Sequence, residues 1–304
     1  MKKQQVIVIA GPTASGKTKL AIELAKKVNG EIISCDSMQI YKDMNIGTAK
    51  PTVEEMQGIP HYMIDIISPE ERFSVSDYKK MAEQKIEEVL QKGKVPILVG
   101  GTGLYVNSLI YGIEFVEIEY DEKYRQALEK RVETEGLQKL YEEAKQIDAE
   151  AMKIISPNDK KRILRVLEIF HQTGMTKTKQ DELSRKNGPK YDYKVFAINI
   201  DREILYDRIN KRVDQMLENG LVKEVEDIYE KYNAFPTAMQ GIGYKEVVEY
   251  LQKDISEQEM IDKIKQESRR YAKRQLTWFR KNKEIIWLDG LNEIQNNIKI
   301  ILEE

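Results

Sequence analysis

The feature that most constrains this chain is a glycine-rich segment close to its N-terminus. GPTASGKT occupies positions 11–18, directly after the apolar run VIVIA and directly before the amphipathic stretch KLAIELAKKV. This pattern between a strand and a helix is the P-loop arrangement, in which backbone N–H groups and the helix N-terminus surround phosphate oxygens. The segment therefore predicts a polyphosphate site in an α/β fold. Its members are Gly11, Pro12, Thr13, Ala14, Ser15, Gly16, Lys17 and Thr18, of which Lys17 reaches the phosphates and Thr18 can hold Mg²⁺.

Short apolar runs bounded by turn residues recur along the chain and predict strands. They lie at 6–10, 32–34, 95–99, 195–200 and 285–288, and most of the intervals between them have helical patterns. This alternation is typical of an α/β protein with a parallel sheet.

The segment 117–195 departs from that alternation. It is highly charged, favours helices and is almost free of strand-like runs, with breaks near Ser156-Pro157 and Asn187-Gly188-Pro189. An ordinary crossover between parallel strands contains one helix, whereas this segment has room for several. We therefore predict an all-helical insertion over 117–195, within a core formed by 1–116 and 196–304.

The composition excludes several classes of protein. The 49 basic and 51 acidic side chains nearly cancel, so any contact with a nucleic acid has to come from local patches rather than from net charge. The single cysteine, Cys35, cannot form a disulfide within the chain, and we expect a buried, reduced thiol. His61 and His171 have no zinc-site spacing and are expected to be structural. The N-terminal apolar run is too short for a signal peptide or a membrane span, so we expect a cytoplasmic protein.

Polar residues follow two of the predicted strands at their carboxyl ends. Asp36-Ser37-Met38-Gln39 comes after the second run, and Gly100-Gly101-Thr102-Gly103 comes after the third. Ligands of open parallel sheets bind beyond the carboxyl ends of the strands, so Asp36 and Thr102 are expected beside the phosphate site. An aspartate after a strand equally suits the N-cap of a helix, and GGTG equally suits a tight turn. Spacing alone leaves both alternatives open.

A series of further motifs accompanies the P-loop. They are DSMQIY at 36–41, GTAKP at 47–51, HYMID at 61–65, GGTGLY at 100–105, SPNDKKRILR at 156–165, RVDQMLENGLVKEV at 212–225, QGIGYKE at 240–246 and RQLTWFR at 274–280. Together with GPTASGKT they extend over nearly the whole chain, and in this order they resemble the tRNA dimethylallyltransferase family.

The resemblance implies a P-loop NTPase-like fold whose phosphate site takes dimethylallyl diphosphate rather than a nucleoside triphosphate. The dimethylallyl group would pass to N6 of the adenosine adjacent to the anticodon of tRNA, on its 3′ side, with release of diphosphate. The resemblance also implies Mg²⁺ as the cofactor and the anticodon stem-loop of tRNA as the partner, without membrane association. We expect a monomer.

Four catalytic residues are implied by the same resemblance. Asp36 would be the general base toward the amine, and Arg212, with Lys17 and the Mg²⁺ on Thr18, would stabilise the departing pyrophosphate. Thr13 and Thr102 would lie near the reacting amine and the leaving group. From the residues alone, Arg212 equally suits a solvated helix position, because INKRVDQML is amphipathic.

Contacts with tRNA are implied at several places in the chain. Asp36 to Gln39 would hold an extruded adenine, and two basic stretches, 160–165 and 263–283, would contact phosphates. Relatives commonly have glutamine at the position of Lys161, and a basic run such as 263–283 is also typical of a solvated helix face. The predicted tRNA-binding residues are Asp36, Ser37, Met38, Gln39, Thr102, Arg125, Lys161, Arg162, Arg165, Gln240, Gly243, Tyr244, Lys245, Arg269 and Arg274.

Two other functions are compatible with a P-loop. A small-molecule or nucleoside kinase uses the same loop for phosphoryl transfer, and a helical insertion would then be a lid over the acceptor. A nucleotide-gated RNA-binding protein would use Lys17 and the basic stretch without any chemistry. Consumption of ATP with a small acceptor would favour the kinase, whereas an unchanged adenosine mass would favour binding alone.

Overall fold

A computed structural model of the protein describes residues 3–115 and 121–304. The chain forms two compact units, which are described separately. One unit comprises the chain up to Ile110 and again from Lys190 onward, and the other comprises Tyr111–Pro189.

The N-terminal part of the first unit alternates strands and helices. Its elements are β1 (Gln5–Ala10), α1 (Lys17–Val28), β2 (Gly30–Ser34), α2 (Val53–Met56), β3 (His61–Tyr62), α3 (Val75–Gln91), β4 (Val95–Gly100) and α4 (Gly103–Ile110). The start of α3 is set by a capping box, in which Ser74 and Asp77 each accept a hydrogen bond from the other's backbone N–H.

The described residues of the second unit contain helices and no strand. These are α5 (Glu122–Glu135), α6 (Leu137–Ile147), α7 (Ala149–Met152), α8 (Lys160–Thr173) and α9 (Lys177–Ser184). Side chains of Asp121, Asp148, Asp159 and Thr176 cap four of them by accepting backbone N–H groups. Apolar residues including Leu128, Leu140 and Leu164 form a core of the unit's own. The unit overlaps most of the predicted insertion, 117–195, and its C-terminal boundary lies earlier because the next strand begins at Asp192; positions 117–120 lie outside the described residues.

The remainder of the chain completes the first unit. Its elements are β5 (Asp192–Asn199), α10 (Arg202–Glu218), α11 (Leu221–Lys231), a 3₁₀ turn (Ala238–Gln240), α12 (Tyr244–Leu251), α13 (Glu257–Phe279), β6 (Ile286–Asp289) and α14 (Ile294–Glu303). No described helix is both long and apolar enough to cross a bilayer.

All six strands pair in parallel, in the order β3-β2-β4-β1-β5-β6. The central strand β1 is apolar on both faces: Val6, Val8 and Ala10 belong to one hydrophobic cluster, and Ile7 and Ile9 belong to another. A parallel strand covered by helices on both sides has this composition. The predicted α/β sheet is confirmed, and each of the five predicted strands is present. The sixth, β3, was missed because two residues are too short to show a periodicity.

The carboxyl ends of β2 and β4 approach each other closely. Cys35 donates its backbone N–H to Val99 O at 2.7 Å, and Thr102 donates its own to Cys35 O at 3.1 Å. A Cβ atom at Gly100 would lie 2.2 Å from that carbonyl oxygen, so this position requires glycine. The Cys35 thiol is buried, as predicted, and burial raises its pKa to about 12.

The opposite end of β2 contains a buried carboxylate. Glu31 is buried, and its oxygens accept hydrogen bonds from Lys94 Nζ at 2.7 Å, Tyr62 Oη at 2.8 Å and Lys92 Nζ at 3.0 Å. Burial acts to raise the pKa of Glu31, but the hydrogen bonds from Lys94, Tyr62 and Lys92 outweigh it and lower the pKa from 4.5 to about 2. The network joins β2, β3 and the turn before β4 at the end of the sheet remote from Gly100.

We expect Glu31→Gln to lower the free energy of unfolding by roughly 1–3 kcal/mol at pH 7, because charge-assisted hydrogen bonds are lost. A carboxylate with a depressed pKa stabilises the fold above about pH 4.5 and loses that effect as the pH falls toward about 2. The difference between wild type and variant should therefore narrow below about pH 4.5. Urea unfolding across this range measures it. Glu88→Gln, which removes an exposed pair with Lys85, is the matched control and should change the stability by less than about 0.5 kcal/mol. An equal effect of the two substitutions would contradict the role of Glu31.

Candidate active site

A cavity of about 370 Å³ lies beyond the carboxyl ends of the strands in the first unit. Its walls come from the P-loop, the segments after β2 and β4, α10, the start of α12 and α13. Predicted site residues that line it are Thr13, Lys17, Thr18, Asp36, Ser37, Met38, Gln39, Arg212, Gln240, Gly243, Tyr244 and Arg274. Segments from distant parts of the chain thus meet at one site, as expected for an open parallel sheet.

The P-loop connects β1 to α1, so the N-terminus of α1 opens onto the cavity. Lys17, the first residue of α1, donates from Nζ to Pro12 O at 2.6 Å, and this contact folds its side chain back along the loop. The Ser15 hydroxyl is buried and has no hydrogen-bond partner within the described ranges. A helix N-terminus with a lysine and an unpaired hydroxyl provides the donors that phosphate oxygens require.

Three cationic side chains, those of Lys17, Arg212 and Arg274, line the cavity together with one carboxylate, that of Asp36. Burial, together with the positive charge of Arg212, lowers the pKa of Lys17 to about 8, and the charge of Asp36 acts in the opposite direction. Burial also lowers the pKa of Arg212, again opposed by Asp36. Buried positive charge in excess of negative charge is costly, and a bound polyanion would relieve that cost. Of the two readings left open by the sequence, the structure therefore places Arg212 at the cavity and not on a solvated face.

Asp36 uses one carboxylate oxygen for its own loop. Oδ1 accepts the backbone N–H groups of Met38 at 2.8 Å and Gln39 at 3.3 Å. Oδ2 has no hydrogen bond to any described residue, although Asp36 lines the cavity. Oδ1 of Asp36 therefore makes the local backbone contacts expected of a capping residue, while Oδ2 can accept a hydrogen bond from a ligand in the cavity.

An oxygen donor suited to Mg²⁺ is present beside the P-loop. Thr18 lines the cavity, and the hydroxyl of the residue after a P-loop lysine typically binds Mg²⁺ together with the phosphates. The donor set therefore fits the ion that the sequence predicts.

The two predicted threonines are held by different contacts. Thr102 does not line the cavity; its Oγ1 accepts the Ser37 N–H at 3.0 Å and thereby supports the Asp36 loop from behind. Thr13 lines the cavity and donates its backbone N–H to Oε1 of Gln275 at 2.9 Å.

Two predicted tRNA-binding residues of the cavity wall are tied to the protein itself. The Gln39 amide donates to the carbonyl oxygens of Thr48 and Ala49, both at 3.3 Å. Tyr244 is only 1% exposed, and its hydroxyl donates to Glu224 at 2.6 Å. Both side chains hold the 45–49 segment in place, and their contact with tRNA stays a prediction.

Two other predicted tRNA-binding residues, Lys245 and Arg269, do not line the cavity. Lys245 pairs with Glu246 at 3.2 Å, and Arg269 donates to Asn210 Oδ1 at 2.6 Å. Arg274 does line the cavity, with its guanidinium carbon 5.9 Å from the centre of the Tyr271 ring.

In the helical unit the predicted tRNA-binding residues lie on α5 and α8. Arg125 pairs with Glu129 and Glu168, both at 3.0 Å, and Arg165 lies 3.5 Å from the same Glu168. Arg162 pairs more loosely with Asp159 at 3.4 Å, and Lys161 is exposed next to it on α8. The arginines are thus oriented by acidic neighbours rather than fully solvated.

Sequence reasoning gave no role to three residues that shape the cavity. Glu224 accepts the N–H groups of Asn45, Ile46 and Gly47 at 2.9, 2.7 and 3.0 Å and so fixes that segment. Gln275 is buried on α13, and Tyr271, one turn before it, lines the cavity. Burial, then the charge of Asp36, raises the pKa of Tyr271 to about 12. Glu224 and Gln275 lie within the motifs 212–225 and 274–280, but nothing in those motifs distinguishes them from their polar neighbours.

His61 also lies at the cavity rather than only in the framework. Its Nδ1 is 2.8 Å from Ile59 O, and burial lowers the pKa of the ring, which favours the neutral imidazole. Stacking of His171 on Tyr124, with ring centres 3.7 Å apart, is in contrast a structural contact of the helical unit.

Comparison with known proteins identifies the relatives of this chain. The tRNA dimethylallyltransferase of Acetivibrio thermocellus is 52% identical over 297 residues, which is 97% of this chain and 95% of that protein. The tRNA isopentenylpyrophosphate transferase of Bacillus halodurans is 44% identical, with a TM-score of 0.74 over 99% of this chain and 95% of that one. A eukaryotic dimethylallyltransferase acting on tRNA is 31% identical, with a TM-score of 0.82 over 99% and 79% of the two chains.

A family model described as IPP transferase matches residues 39–282, which include most of the cavity-lining segments. The match, the identity to the relatives and the near-complete coverage agree with one another. The chain belongs to the IPP transferase family.

Proposed function

We propose that this chain transfers a dimethylallyl group from dimethylallyl diphosphate to N6 of the adenosine adjacent to the anticodon of tRNA, on its 3′ side, and releases diphosphate. The observation that carries the proposal is the cavity in which Lys17 and Arg212 share the space with Asp36. A site for an anionic leaving group and an acceptor for a proton are therefore adjacent. The relatives favour this reaction over phosphoryl transfer.

Atoms and charges balance without a further reactant. A bond forms between N6 and the allylic carbon, while the bond from that carbon to the diphosphate oxygen breaks and its electron pair leaves with the diphosphate. The amine loses one proton, and Asp36 Oδ2, which has no hydrogen bond to any described residue, is placed to accept it.

The donor's diphosphate would bind at the P-loop and the start of α1. Lys17 and Arg212 would neutralise the phosphate charge, and the buried setting strengthens that attraction. Mg²⁺, when bound through Thr18 and the phosphates, would supply further stabilisation of the negative charge that develops on the leaving group. Lys17 would exchange its contact with Pro12 O for phosphate oxygens.

The acceptor requires alignment more than activation. The exocyclic amine of adenine is a weak nucleophile because its lone pair is delocalised into the ring, so holding it in line with the breaking bond contributes strongly to the rate. A stacked base has to leave the anticodon loop to reach a cavity of this kind. The Asp36–Gln39 loop and Arg274 line the wall that would receive it.

Binding of tRNA would depend on local basic surfaces, because the formal net charge is −2. On α13, Arg270, Lys273 and Arg274 are exposed, and in the helical unit Lys161, Arg162 and Arg165 are exposed on α8. Contacts of this kind with phosphates position an RNA and weaken with salt.

The function is tested by incubating the purified protein with Mg²⁺, dimethylallyl diphosphate and unmodified tRNA, then weighing the digested nucleosides by mass spectrometry. We expect adenosine carrying one dimethylallyl group. Unmodified adenosine, with ATP consumed when small acceptors are supplied, would favour the kinase instead.

Replacing Asp36 with asparagine should lower the single-turnover rate of transfer by about 10²–10⁴-fold, because asparagine cannot take the proton. Its Oδ1 still accepts the N–H groups of Met38 and Gln39, so the loop should persist. Affinity for tRNA, measured by filter binding, should stay within about twofold of wild type, since no phosphate contact is lost.

Asp43→Asn is the matched control for this experiment. Asp43 follows on the same segment, pairs with Lys231 at 2.7 Å and does not line the cavity. We expect its transfer rate to equal that of wild type. A transfer rate of Asp36→Asn close to wild type would remove Asp36 from the chemistry.

The affinity for inorganic pyrophosphate should fall as the pH rises through about 8, because Lys17 then loses its proton and with it the attraction to the anion. At pH 9 the affinity should be roughly tenfold weaker than at pH 7. Isothermal titration calorimetry at constant free Mg²⁺ measures this change.

Lys17→Arg separates the lysine from the titration of pyrophosphate itself. Arginine stays charged between pH 7 and pH 9, so the affinity of Lys17→Arg for pyrophosphate should change only with the protonation of pyrophosphate itself. Wild type and Lys17→Arg should therefore diverge above pH 8. Parallel curves would show that another group causes the pH dependence.

A further inference from the structure

Gln275 is a buried amide that uses both ends of its side chain. It lies on the inner face of α13 and is 5% exposed. Its Oε1 accepts the backbone N–H of Thr13 at 2.9 Å, and its Nε2 donates to the carbonyl oxygen of Gly101 at 2.9 Å. Only a group that accepts and donates at once satisfies both partners.

The two partners belong to the two loops that flank the proposed reaction. Thr13 is in the P-loop after β1, and Gly101 begins the turn after β4, next to β1 in the sheet. The spacing is tight, because a Cβ atom at Gly101 would lie 2.0 Å from Nε2 of Gln275. The amide therefore sets the separation of these loops as a rigid spacer.

The turn after β4 is also joined to the loop that holds Asp36. Thr102, next to Gly101 in that turn, accepts the Ser37 N–H at 3.0 Å. Gln275 thus connects the P-loop directly to the β4 turn, and through that turn to the Asp36 loop.

We propose that Gln275 is a positioning residue for the transfer reaction: it holds the P-loop and its diphosphate in line with the amine acceptor loop. The inference rests on the proposed function. Gln275 touches neither the reacting carbon nor the amine in this scheme, and it acts through Thr13 and Gly101. A displacement of about 1 Å between two reactants can cost about 10²-fold in rate, so the spacer has a large effect on turnover.

Gln275→Glu and Gln275→Met test the inference, with transfer to tRNA measured from pH 6 to 8.5 and expressed as kcat relative to wild type at each pH. The ionised glutamate still accepts the Thr13 N–H but repels the Gly101 carbonyl, whereas the protonated glutamic acid matches the amide at both ends. We expect kcat of Gln275→Glu to be lowered by about 10–100-fold at pH 8.5 and to recover at least about fivefold relative to wild type by pH 6. Gln275→Met should stay low at every pH. KM of Gln275→Met for both substrates should change by less than about threefold, because methionine leaves the charge of the cavity unchanged.

The titratable and charged groups around the amide are present in all the proteins compared. They are Lys17 from α1, Asp36 from the loop after β2, His61 from β3, Arg212 from α10, Tyr244 from α12, and Tyr271 and Arg274 from α13. Expressing each rate relative to wild type at the same pH removes their shared contribution. Gln266→Glu, an exposed position on the same helix, introduces the same charge and should show no pH-dependent loss.

The outcomes separate the inference from the proposed function. If wild type modifies tRNA and the kcat of Gln275→Met lies within about twofold of the wild-type kcat, the positioning role is overturned and the proposed function stands. If the kcat of Gln275→Glu relative to wild type does not change with pH, the positioning role is overturned as well. This measurement can be made even if Gln275→Met does not fold. Wild type that forms no dimethylallyl adenosine would overturn the proposed function, and the inference with it.

Discussion

The site depends on the close approach of backbone at the carboxyl ends of neighbouring parallel strands. Gly100 lies against the Cys35 carbonyl so tightly that no side chain fits, and backbone hydrogen bonds on both sides of Cys35 hold the two strand ends together. Because β1 lies on the other side of β4, the P-loop emerges beside them. Phosphate donors and the Asp36 carboxylate are therefore brought together by sheet order, before any side chain contributes.

Positive charge exceeds negative charge in the cavity. Burial lowers the pKa of both Lys17 and Arg212, the charge of Arg212 lowers the pKa of Lys17 further, and the charge of Asp36 acts in the opposite direction on both. Such an arrangement stores unfavourable energy in the protein without its ligand and releases it when a polyanion binds. A nearly neutral chain with a locally cationic cavity is consistent with a substrate that is small, highly charged and bound deeply.

Local sequence was sufficient for five of the six strands in the sheet and for Asp36 at the end of a strand. Apolar runs predicted β1, β2, β4, β5 and β6, and the rule that ligands bind beyond parallel strands placed Asp36. Arg212 stayed open, because an amphipathic pattern does not show which part of a helix faces a cavity. The role of Gln275 could not be predicted, because its hydrogen bond to Thr13 joins residues 262 positions apart and no local pattern encodes such a contact.

A neutral amide at position 275 also suits the charges that surround it in the cavity. Lysine or arginine there would add another cation to the cavity, and would depress the pKa of Lys17 further by the same repulsion that Arg212 already exerts. Aspartate or glutamate would neutralise the excess positive charge that attracts the diphosphate, and would face the Gly101 carbonyl with another negative charge. Glutamine fixes the geometry of the P-loop without changing its potential, so the position of the loops and the charge of the cavity are set by different residues.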